Sequence, residues 1–174
     1  MACTLTTGRK LPCKSGVGGL KTVYFADYGT LGATTIASGE LTAIAGTPAL
    51  FQFDIKGNSS LETAINSSRE NGTTFYETTL NLTLTFLEKA TQEELKLIAH
   101  ARPHVFVEDY NGNYFVVGLE HGAEVTGGSI VSGAAMGDLS GFTLTMVAQE
   151  TAPPYFVTAS VVTSNADATQ ITPN

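Results

Sequence analysis

The amino-acid sequence predicts a mainly β protein with one flanking amphipathic α-helix at about residues 91–102. Three observations carry this expectation. Leu80, Leu82, Leu84 and Phe86 alternate with Thr79, Asn81, Thr83 and Thr85, the period of a strand with a dry core face and a wet, hydroxyl-rich face. Thr91-Gln-Glu-Glu94 has the form of a capping box ahead of Leu95, Ile98 and Ala99, which are spaced to pack as one buried helical stripe. Asn111-Gly112 separates two β-rich runs and is the preferred pair of a type I′ hairpin turn.

Residues 1–20 are small, polar and glycine-rich and read as an N-terminal arm able to lie on a neighbouring subunit. Lys21–Tyr28 is a β-branched and aromatic run closed by Gly29, hence a strand. Residues 29–39 read as a loop, and 40–45 as a weak alternation before a turn at Gly46-Thr-Pro48. Phe51, Phe53 and Ile55 then oppose Gln52, Asp54 and Lys56, a second clear strand. Residues 57–72 are polar and turn-rich. Leu61 and Ile65 there permit a short helical turn after Ser59 or Ser60, and an interface loop fits equally well.

Thr73–Glu88 reads as one long strand, well beyond the usual length of about five or six residues, with room for a dividing bend or bulge. The helix follows, and Pro103 stops it. Runs 105–110 and 113–119 form the hairpin, 129–132 a short strand, and 133–141 a glycine-rich loop. Phe142, Leu144, Met146 and Ala148 alternate with Thr143, Thr145, Val147 and Gln149 until Pro153-Pro154. Residues 155–174 begin Tyr-Phe-Val and fade into Ser, Thr, Asn and Ala, a tail expected to fray. The organisation is therefore an arm (1–20), one β domain (21–157) and a C-terminal tail (158–174).

Composition narrows the function. Only 14% of the 174 residues are charged, which leaves few ions to solvate a free surface and favours one covered by partners. The net charge of −7 and pI near 4.8 argue against gripping nucleic acid, but suit a surface along which it slides. No apolar run approaches a membrane span, no apolar leader precedes the chain's first strand, and secretion is unsupported. The Asn58, Asn66, Asn71 and Asn81 sequons then reflect composition. Reduced thiols are the favoured state of Cys3 and Cys13, with a short-loop disulfide as the alternative.

No catalytic or cofactor constellation is evident. Gly16-x-Gly18-Gly19 lacks the spacing and preceding strand of a dinucleotide loop. Pro103 breaks the helix that would align His100 with His104, and His104 and His121 read as ordinary strand or loop residues. Glu93 and Glu94 suit a helix N-terminus, Glu108 and Asp109 point to opposite faces, and no Gly-x-Ser-x-Gly occurs. The reading is a non-enzyme without metal or cofactor.

The order of elements resembles the tail-tube proteins of tailed bacteriophages and their relatives in contractile injection devices. The resemblance is architectural, covers roughly residues 21–150, and is carried by FYETTLNLTLTFLEKATQEELKLIAHA (75–101) and GFTLTMVAQE (141–150). It implies an antiparallel β-sandwich or half-barrel with that flanking helix, and a virion structural protein, assembled in the host cytoplasm, whose six copies form a hollow ring. Partners would be other copies and other virion proteins, with DNA only as transiting cargo. Leu80, Leu82, Leu84 and Phe86 would lie under the helix, and Thr79, Asn81, Thr83 and Thr85 on the wet or lumen side. The glycine-rich 120–141 region and the Cys-containing arm depart from that pattern. A head-decoration or neck protein, and a monomeric β binding module, are the alternatives; the absence of Trp weakens the last.

Overall fold

A computed structural model describes residues 7–11, 13–55 and 58–167. Its strands are β1 (Leu20–Ala26), β2 (Thr34–Ala37), β3 (Glu40–Ile44), β4 (Leu50–Asp54), β5 (Ser60–Ser68) and β6 (Thr73–Thr85), then β7 (His104–Asp109), β8 (Tyr114–Val117), β9 (Glu124–Val131), β10 (Gly141–Glu150), β11 (Tyr155–Val157) and β12 (Ala166–Asp167). Helix α1 (Lys89–His100) follows β6, and α2 (Ala159–Asn165) joins β11 to β12. The strands make an eight-stranded sheet, β12-β4-β1-β7-β8-β11-β3-β2, and a four-stranded sheet, β5-β6-β10-β9.

The two sheets stack. Alternation along β6 and β10 aims Leu80, Leu82, Leu84, Phe142, Leu144 and Met146 at Val23, Phe25, Val105 and Val107 of the larger sheet, and Leu95 and Ile98 of α1 join this core. The other face of the larger sheet carries a second core: Tyr24, Leu41, Leu50, Phe106 and Val116 with Val161 and Val162 of α2. Strand β1 is buried almost throughout because both its faces are covered.

The larger sheet is rolled. β11 and β12 are five strand positions apart, about 24 Å if the sheet were flat. The bridge between them is essentially the seven-residue α2, about 11 Å long. Only a sheet curled around the second core lets so short a helix close it. Pairing is antiparallel except where β11 meets β3 and β12 meets β4.

Several sequence expectations are corrected. Phe86 leaves the dry face: β6 ends at Thr85, and Phe86 turns out at φ 71 with its side chain 66% exposed. Its N–H still donates to Ser140 O at 2.8 Å, so the ladder continues while the side chain reverses. The helix starts at Lys89 with Glu88 at the N-cap and no side-chain cap bond, so Thr91 and Glu94 form no capping box. The helix packs through Leu95 and Ile98 and leaves Ala99 exposed. Residues 57–72, read as a loop or helical turn, instead supply β5, paired with β6 from Ser60–Asn81 to Ser68–Thr73. β2 likewise lies within the loop expected at 29–39, and the short strand expected at 129–132 extends back to Glu124.

The β7–β8 turn is not type I′, which needs positive φ at both central residues. Gly112 has φ 79, but Asn111 is not among the positive-φ residues. Gly112 N–H donates to Asp109 O, and Asp109 N–H to Asn113 O: a type I turn followed by a left-handed glycine. The tail is no tail over 159–165, where Val161 and Val162 of α2 are buried. Cys3 lies outside the described residues; Cys13 is exposed.

Candidate assembly surface

The four-stranded sheet has one dry face and one open face, and register assigns every residue to one or the other. Leu80, Leu82 and Leu84 pair with Met146, Leu144 and Phe142 on the dry side, each no more than 7% exposed. Thr79, Asn81 and Thr83 pair with Val147, Thr145 and Thr143 on the opposite side. There Asn81 and Thr85 are exposed and Thr79 and Thr83 half-buried. The helix residues Leu95 and Ile98 belong to the dry side; Ala99 borders a groove described below.

Side chains on the open face bond mainly to one another. Thr145 Oγ1 donates to Asn81 Oδ1 at 3.0 Å, Gln149 Nε2 to Glu77 Oε2 at 2.7 Å, and the Ser129 and Thr143 hydroxyls meet at 2.7 Å. Register also places Glu62, Glu77 and Glu124 on this face. None of the four strands contains Lys or Arg. The face is therefore hydroxylic and anionic, with no cation to hold a phosphate.

Both edges of this sheet, β5 and β9, lack a strand partner among the described residues, and they are staggered. Ala64, the middle of β5, pairs with Glu77. The middle of β9, Gly127–Gly128, pairs through Thr145 and Leu144 with Asn81 and Leu82. The edges are thus offset by about four to five residues, roughly 15 Å along the strands. A bulge beside Thr126 kinks β9.

Beside β9, on the dry side, an open groove of about 630 Å³ runs under α1, bordered by Leu95, Lys96, Ala99, Val125, Ile130 and Leu144. Ile130 is 61% exposed at its rim. On the opposite edge, Ile65 of β5 is 68% exposed. At the end of the sheet where β6 finishes, Phe86 and the fully exposed Met136 border a second open hollow. The sequence reading missed Ile65 because it gave β5 no strand and hence no faces.

The histidines and acids weighed for chemistry have structural partners. His104 is buried; Nδ1 lies 2.7 Å from Gly118 O and Nε2 accepts Gly29 N–H at 3.2 Å, so the ring ties β7 to two loops. Glu108 pairs with Lys21 at 2.8 Å, and that carboxylate raises the lysine pKa by hydrogen bond and charge. Burial pushes the Tyr24 phenol up to about 12, so it stays protonated.

One cluster escaped the sequence reading. Glu120, His121 and Glu150 bring one donor atom each within 4.8 Å. Glu150 Oε1 accepts the N–H groups of Glu120 and His121 at 3.1 and 3.0 Å, so its first task is to clamp that turn. No helix among the described residues is long and apolar enough to cross a membrane.

No family model matches the chain, and no curated protein matches it either.

Proposed function

We propose that the chain is a virion structural protein, a subunit of hollow, stackable rings through which DNA passes. The observation that carries this reading is the four-stranded sheet: dry and covered on one face, open and anionic on the other, unpaired and staggered at both edges. Unpaired edges invite pairing with another chain. Joining β9 of one copy to β5 of the next, flush, accumulates the stagger once per four strands. About 15 Å of slip over about 19 Å of sheet gives a strand tilt near 38°, inside the 35–45° range of closed barrels.

Six copies would supply about 24 strands and a backbone diameter of roughly 48 Å, wide enough for a duplex after side chains are allowed for. Three copies would leave about half of that, with side chains filling much of it. The lumen would be lined by Thr79, Asn81, Thr83 and Thr85 together with Glu62, Glu77 and Glu124. Like charge keeps DNA from sticking to such a wall. The reading requires no metal, cofactor or catalytic residue; its partners are other copies, other virion proteins and transiting DNA.

Negative-stain images and solution mass of the purified chain over a range of concentrations test it. Hollow rings or stacked tubes are the expected outcome. A compact monomer of 18.2 kDa at every concentration would overturn it in favour of a monomeric β module.

A further inference from the structure

We infer that the groove between α1 and β9 is a socket for β5 of the neighbouring copy, with Leu61 and Ile65 as the inserted side chains. This rests on the ring reading and adds to it a register and a set of contacts.

Backbone direction supplies the first argument. Thr83 N–H donates to Ser59 Oγ on the β5 side at 3.1 Å, so alternate residues Thr83, Asn81 and Thr79 address β5. Their partners Ser60 and Glu62 answer inward, and Leu61, Thr63 and Ile65 present N–H and C=O groups outward. Phe86 N–H bonds Ser140 O, so Leu84 and Leu82 address β10. Thr143 and Thr145 then address β9 through Ser129 and Gly127, leaving Gly128 and Ile130 outward. Both outward sets lie on the dry side of the sheet. Rotation about a ring axis brings the two edges together antiparallel, free donors against free acceptors.

Side-chain complementarity selects the register. Flush alignment sets Leu61 opposite Ile130, Thr63 opposite Gly128 and Ile65 opposite Val125. Two exposed aliphatics, Ile65 and Ile130, gain apolar partners together. Gly128 presents no side chain to Thr63 and can carry none, since a Cβ there would lie 2.6 Å from Thr143 O. Leu95 and Ala99 of α1 close the groove from below.

Area explains why the partner is a ring neighbour rather than one dimer mate. Eight residue pairs span about 27 Å, and the joint is about 10 Å deep, roughly 270 Å² of facing surface per copy. A stable pairwise interface takes about 800 Å² per partner. A copy engaging both edges doubles its share, and closure leaves no edge bare.

The test uses the full chain with Cys3 and Cys13 replaced by serine, carrying Leu61→Cys and Ile130→Cys. Within one copy these positions are three strand spacings apart, about 14 Å, beyond the reach of a disulfide. Oxidation of assembled protein is expected to give covalent oligomers up to the closed ring. Ile65→Asp, at an exposed position, is expected to stay folded by circular dichroism and to need at least about tenfold more protein to assemble. Rings that form without this cross-link, or in which Thr63→Cys links to Ile130→Cys instead, would overturn the socket while leaving the ring reading intact. So would normal assembly of Ile65→Asp. If the unmodified chain forms no ring at any concentration, both readings fall.

Discussion

Leu82 and Thr83 are adjacent in β6 yet sit on opposite faces of its sheet, one 2% exposed in the core and the other half-buried among hydroxyls. Leu82→Asp is expected to unfold the chain, since an unpaired charge would enter a packed core at a cost of several kcal/mol. Thr83→Asp should keep the fold and shift the urea midpoint by less than about 1 kcal/mol equivalent. Circular dichroism of the two variants decides; the reverse pattern would refute the face assignment. Residue-level burial was legible wherever alternation was strict, as along Phe142–Ala148. It failed at Phe86, because periodicity says nothing about where a strand stops and φ turns positive. It failed again at Ala99, because spacing places the residue beside the stripe but not how deep the helix sits, and the core takes only Leu95 and Ile98.

The β7–β8 hairpin shows how an element can be right in kind and wrong in detail. Asn111-Gly112 marked the turn, but Asp109 decided its type: its carboxylate accepts the N–H groups of Asn111 and Asn113, both at 2.8 Å, and the Asn113 side chain at 2.9 Å. Asn111 also clips the arm, accepting Val17 N–H at 2.9 Å and donating to Val17 O. Burial pushes the Asp109 carboxyl up, but the hydrogen bonds from Asn113 and Asn111 outweigh it and hold the pKa below its ordinary 3.8. A depressed folded pKa means stability that is present above the unfolded value and lost as pH falls through the folded one. Urea midpoints of the native chain should therefore fall between about pH 4 and pH 2, and Asp109→Ala should start lower at neutral pH and fall less steeply over that window. Equal slopes would remove Asp109 from the account. β5 was illegible for a related reason. Its only large apolar residues, Leu61 and Ile65, are half-buried and exposed, so little core signal marks a strand whose ladder with β6 is mostly polar. Thr63 and Thr78 join hydroxyls at 3.0 Å, Ser67 and Thr74 at 3.1 Å.

Across the whole molecule, fold class was legible and topology was not. Two alternating strands and one helix stripe mark a β-rich fold with a helical cover, but Tyr155–Val157 and Ala166–Asp167 give no hint that they will meet β3, β8 and β4. Those contacts are long-range, and a seven-residue helix of Ala, Ser, Val, Thr and Asn carries a weak propensity signal. Val162, fully buried in α2, is the sharpest probe of this closure. Val162→Asp should destabilise the entire domain, lowering the thermal midpoint by roughly 10 °C or more, in one cooperative step; a loss confined to local fraying would show that the second core is not integral. The position of β11 also sets a clock. It lies between β8 and β3, so the β2–β3 hairpin reaches its sheet only through a strand that leaves the ribosome more than a hundred residues later. At about 5–20 residues per second, the hairpin waits several seconds for its place. A nascent chain therefore cannot finish its body early: the eight-stranded sheet closes only once nearly all of this sequence has been made.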